Sequence, residues 1–279
     1  MKKLFLVLLV VGIVGCSAGN DVDSAQAPAP EEDAAPKVTD TVQSLGGLFL
    51  GLSSPNEAFQ ALAETTSPDD WVRFLDESTA ISDRGRVATG FDIGVRGANA
   101  LLAIAVGDVD LATSLAESVQ RAANGLDISS DRLERLGTQL QEALQIEDAT
   151  DREVRVSRSL NALRGELVQL LNTIDEVEVA LAIEFGAWIE GVRQSSGIVR
   201  DNYTEQLALT LGRANEAVYF VRALETLRAR EESDTFTALI EPMAQMAELM
   251  DVGASVMTAA QVTTLHLLST NLRDRAAAI

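Results

Sequence analysis

The chain has 279 residues, 47% of them hydrophobic, and 42 acidic against 22 basic side chains give a net charge of −20. A surface this negative is repelled by nucleic acid and by anionic lipid headgroups, so nucleic-acid binding is excluded. A single cysteine, Cys16, and a single histidine, His266, exclude internal disulfides, zinc–thiolate sites and a multi-histidine metal centre, and no cofactor is expected.

The chain starts with Lys2 and Lys3, an apolar run from Leu4 to Val11, and then Ile13-Val14-Gly15-Cys16. The apolar stretch is too short to stay in a bilayer as a spanning helix, and the small residues suit a peptidase groove. These 16 positions resemble the signal peptide and lipobox of bacterial lipoproteins, with Ile13 where Leu is more frequent. The resemblance implies a diacylglycerol thioether on Cys16, cleavage after Gly15 and acylation of the new amino terminus. Residues 1–15 are then a leader, and the membrane is reached through lipid. By the same resemblance, Ser17 after the cysteine implies the periplasmic face of the outer membrane.

Residues 16–38 comprise this cysteine and a tether. Asp21, Asp23, Glu31, Glu32 and Asp33 alternate with Ala, Ser, Pro28, Pro30 and Pro36, a composition too poor in apolar area to offset ordering entropy. Residues 39–279 read as one helical domain. Helix starts recur as Ser54-Pro55-Asn56-Glu57, Ser67-Pro68-Asp69-Asp70, Thr150-Asp151-Arg152-Glu153, Thr173-Ile174-Asp175-Glu176 and Asn202-Tyr203-Thr204-Glu205. Gly107, Asn124-Gly125 and Gly197 read as stops.

Between these marks, apolar residues repeat at helical spacing. Leu133, Leu136, Leu140 and Leu144 form one stripe, Leu160, Leu163, Leu167 and Leu170 a second, and Leu207, Leu211, Ala214, Val218 and Val221 a third. Period-two runs are missing. The expectation is an all-α, multi-helix antiparallel bundle of roughly seven to nine helices.

Four features could carry function. A helix expected over 82–106 places Gly90, Gly94 and Gly97 on one face and Asp92, Arg96 and Asn99 at the same spacing. The glycines suit close helix packing or room for a ligand, and the three polar residues are candidate ligand-binding residues. Trp188, flanked by Gly186 and Gly191, is a core anchor or, as a further candidate ligand-binding residue, a stacking platform. Met243, Met246, Met250 and Met257 share a heptad-like stripe that suits either core or an adaptable partner groove, with no metal expected. Glu178, Glu184 and Glu190 could supply the paired carboxylates of a glycan hydrolase, although so acidic a chain produces such pairs by chance.

The leading expectation is a non-catalytic, lipid-anchored scaffold, adaptor or accessory subunit of the cell envelope with an envelope protein as partner. A periplasmic small-ligand-binding domain is the alternative, and a cell-wall glycan hydrolase a third reading.

Overall fold

In the computed structural model the helical spacing becomes, among the described residues, ten α-helices and no strand. Those residues are 55–278 apart from 129, 232, 233 and 254; the leader, Cys16 and the tether lie outside them. The helices are α1 (Pro55–Ala63), α2 (Arg86–Ala105), α3 (Val109–Gly125), α4 (Asp131–Leu144) and α5 (Ala149–Thr173). They continue as α6 (Val177–Asp201), the single turn α7 (Glu205–Ala208), α8 (Ala214–Glu231), α9 (Asp234–Met250) and α10 (Ala259–Ala277). A 3-10 helix spans Pro68–Phe74.

Local chemistry sets most of the starts. Asp108, Ser130, Asp148 and Thr204 each accept a hydrogen bond from a backbone N–H three residues on, and Thr258 with Gln261 forms a full capping box. Two expected starts move. Asp148, not Thr150, caps α5. Thr173 ends α5, because the chain reverses at Asp175, whose φ is 63°, before α6 begins at Val177.

Short turns between chain-consecutive helices favour antiparallel neighbours. The two central helices, α2 and α6, are separated by three others and run parallel: Gly90 meets Val179, Gly94 meets Ile183, and Asn99 meets Glu190. Glycines let the two backbones touch. A Cβ on Gly90 would lie 2.8 Å from the Val179 carbonyl oxygen; one on Gly94 would overlap the Ile183 carbonyl and sit 2.6 Å from the Ala187 nitrogen. Gly186 answers from α6, where a Cβ would strike the Phe91 carbonyl. Gly97 differs: its Cβ direction meets open space beside an apolar cavity of about 30 Å³ enclosed by α2, α3, α5 and α6. The glycine stripe is thus packing at two positions and vacant space at the third.

Two further readings are corrected. Gly197 lies inside α6 instead of ending it, because the Phe74 ring fills the space a Cβ would need. The stripe expected through Leu207, Leu211, Ala214, Val218 and Val221 is broken at Gly212 and Arg213. In α8 the buried face becomes Ala217, Phe220, Leu224 and Leu227, leaving Val218 exposed.

Trp71 is fully buried, its indole N–H donating to Thr66 Oγ1 at 3.1 Å, with Phe59 packed beside it. Met243, Met246, Met250 and Met257 are all buried. They belong to the hydrophobic core, so the stripe is not exposed to a partner in this fold.

Candidate functional site

The polar face of α2 is occupied by the chain itself. Between Phe74 and α2 runs an irregular strap, residues 75–85, in which no side chain is buried and Glu77, Ser78, Thr79 and Ala80 are exposed. The three expected ligand-binding residues each hold it. Asp92 accepts from the Ser82 N–H at 2.6 Å. Arg96 donates to the Ala80 carbonyl at 3.1 Å and to the Asp76 carboxylate at 3.2 Å. The Asn99 amide oxygen accepts from the Asp76 N–H at 2.8 Å. Asp92 and Arg96, spaced to pair along the helix, make these long-range contacts instead, and α2 begins at Arg86 because residues 82–85 belong to the strap.

Beneath the strap lies a polar cluster on α2, α6 and α10. Glu190 is fully buried and accepts from Asn99 Nδ2 at 2.9 Å, Gln194 Nε2 at 3.1 Å and Arg193 at 2.7 Å, with Arg273 at 3.6 Å. Arg193 also donates to the Phe74 carbonyl at 2.7 Å, where the strap begins. Arg273 bonds Asp76 as well. A buried carboxylate needs such a set of donors, because an unpaired charge here would cost several kcal/mol. Burial alone would raise the Asp76 pKa. The Ser78 N–H, Arg96 and Arg273 outweigh it and hold that carboxyl below the usual range.

Sequence reasoning finds Arg96 and Asn99 through their spacing and misses Asp76, Arg193, Gln194 and Arg273. These are brought together only by the packing of α6 and α10 on α2, and no local pattern marks them.

Trp188 is a core residue whose indole N–H donates to Glu216 at 2.7 Å and whose ring packs 5.0 Å from Phe220. It lies apart from the strap contacts, so the structure does not join it to Asp92, Arg96 and Asn99. The three glutamates are also kept separate. Glu184 is buried against Arg164 on α5 at 3.4 Å, and Glu190 faces α2 and α10. Burial raises the Glu184 pKa, with Arg164 opposing. Six residues along a helix turn a side chain about 120° away, so Glu184 and Glu190 do not face one another.

His266 is half-buried, its Nδ1 lying 3.0 Å from the Arg193 carbonyl and 3.5 Å from Ser196 Oγ. Burial lowers its pKa, opposed by the bond to Arg193. A surface groove of about 370 Å³ runs beside the strap, lined by Thr79, Ser82, Thr89, Ser118 and Arg121 among others. Among the described residues, no group of three or more His, Cys, Asp or Glu side chains is arranged to hold a metal ion.

No protein-family model matches this chain, and no curated protein or solved structure matches it.

Proposed function

We propose that this chain is a lipid-anchored helical scaffold or adaptor of the bacterial envelope, held by acyl groups on Cys16 at the periplasmic face of the outer membrane and acting through a protein partner. The leader and Cys16 support the address. One structural observation supports the non-catalytic part: the polar side chains most suited to a site, Asp92, Arg96, Asn99 and Glu190, are bonded to other groups of the same chain. Their chemistry rigidifies the bundle and fixes the strap, which suits a body that presents surfaces. Crosslinking in the native envelope tests this reading. A partner recovered in stoichiometric amount is the expected outcome; a monodisperse domain that captures nothing in the envelope contradicts it.

A second reading, a periplasmic small-ligand-binding domain, is favoured by the groove beside the strap. Its volume of about 370 Å³ falls in the range of small-molecule sites. That reading moves the ligand off Asp92, Arg96 and Asn99 and onto Ser82, Thr89, Ser118 and Arg121. Arg121→Ala leaving the binding of every periplasmic metabolite tested unchanged would remove it.

A further inference from the structure

The strap is held in an unusual way for a segment joining core elements. No side chain from Leu75 to Val87 is fully buried, and its apolar fastening is limited to Leu75, Ile81 and Val87, half-buried against the core. The rest of its attachment is polar: the Phe74 carbonyl to Arg193, the Asp76 N–H to Asn99, the Asp76 carboxylate to Arg96 and Arg273, the Ala80 carbonyl to Arg96, the Thr79 carbonyl to Ser118 and the Ser82 N–H to Asp92. Four of these seven contacts involve an arginine, and five of the seven involve backbone groups that any peptide offers. Three arginines from three helices converge here, answered by three carboxylates, Asp76 on the strap, Glu190 on α6 and Asp274 beside Arg273. With the strap lifted, the recess would keep three positive charges against two negative, Glu190 and Asp274, within a chain of net charge −20.

We propose that the recess formed by Arg96, Asn99, Arg193 and Arg273 is a recognition site for an acidic peptide segment, which residues 75–82 occupy in cis. The strap acts as a built-in competitor. A partner carrying an acidic segment displaces it, and its backbone carbonyls and one carboxylate take over the same donors. The strap is suited to release because within residues 75–82 only Leu75 and Ile81 pack against the core, and segments held by few apolar contacts open locally at low free-energy cost. The site reads the backbone together with one acid, and the surrounding negative surface rejects segments that cannot reach the arginines. This inference supplies the partner's chemistry for the adaptor reading and rests on it.

The test uses the full chain and a fluorescein-labelled peptide of residues 75–82, LDESTAIS. Asp76→Ala removes the strap's own carboxylate, and this variant is expected to bind the peptide about tenfold more tightly than the unaltered chain. A peptide with Asn in place of its first acid is expected to bind about tenfold more weakly, and Arg273→Gln in the Asp76→Ala background to remove binding, with affinity falling as salt rises. A folded Asp76→Ala variant that binds the peptide no better than the unaltered chain overturns the proposal. Hydrogen exchange on the unaltered chain covers failure of that variant to fold. The Asp76 and Ser82 amides are expected to exchange at least about tenfold faster than the core of α2. Strap amides that exchange only with global unfolding overturn the proposal as well. A partner crosslinked elsewhere on the surface, with no peptide binding, overturns the recess and leaves the adaptor reading standing. Peptide binding without any envelope partner does the reverse.

Discussion

Gly94 and Gly97 sit one turn apart on α2, and the same substitution is expected to act on them with opposite sign. At Gly97 an added Cβ meets open space. Alanine there gains helix propensity and reduces the freedom of the unfolded chain, a stabilisation of about 0.5–1 kcal/mol. Because the methyl also borders the apolar cavity of about 30 Å³, it adds contacts without strain. At Gly94 a Cβ would overlap the Ile183 carbonyl and lie 2.6 Å from the Ala187 nitrogen. Both are backbone atoms of α6, so no side-chain rotation relieves the clash. The helices must separate, and overpacking of this kind costs about 1–3 kcal/mol, which exceeds the propensity gain. In a domain of this size 1 kcal/mol moves Tm by roughly 2–4 °C. Thermal and urea unfolding followed by circular dichroism therefore shows Gly97→Ala melting a few degrees higher and Gly94→Ala several degrees lower, with unchanged urea m-values. Equal effects at the two positions, or a stabilising Gly94→Ala, would refute the backbone contact between α2 and α6.

Three other outcomes follow from the packing. Asn99→Ala leaves the Asp76 N–H, Glu190 and Gln194 each short of a partner, a loss of about 2–4 kcal/mol in urea unfolding; a cost below about 0.5 kcal/mol would mean the cluster is not formed. Gly197→Ala pushes a methyl into the Phe74 ring, at 2.8 Å from its Cδ1, and lowers Tm, whereas pairing it with Phe74→Leu restores part of the loss. His266 is the sole histidine, so its imidazole gives one resolvable proton NMR titration. Burial first, then Arg200 and Arg193, lower its pKa in the fold, so the unfolded chain binds the proton more readily. The stability contributed by the neutral ring is therefore present above about pH 6.5 and declines as pH falls toward the folded value. A midpoint at or above that of a free histidine would contradict the half-buried setting.

Much of the bundle is legible in the sequence because it rests on local chemistry. The stripes at Leu140, Leu144, Leu160, Leu163 and Leu167 reach the core, and Thr204 sets a helix start within its expected motif. The failures share a cause. A glycine that ends a helix and one that admits a neighbouring ring look alike in one dimension, so Gly197 reads as a stop although Phe74 occupies its place. The i, i+4, i+7 spacing of Asp92, Arg96 and Asn99 marks a polar face, but the spacing carries no information about what lies on it. The strap that fills it comes from residues 76–82, ten or more positions upstream, and the supporting Arg193 and Arg273 come from helices folded back from far along the chain. The parallel alignment of α2 and α6 has the same origin, since only the three intervening helices bring the two together.

The most direct measurement is the intact mass of the mature protein extracted from its native membranes. The account predicts a chain beginning at Cys16, heavier than its 264-residue sequence by a diacylglyceryl group and one further acyl chain. A mass matching an unmodified Cys16, or a retained leader, would contradict the anchor and the envelope role built on it.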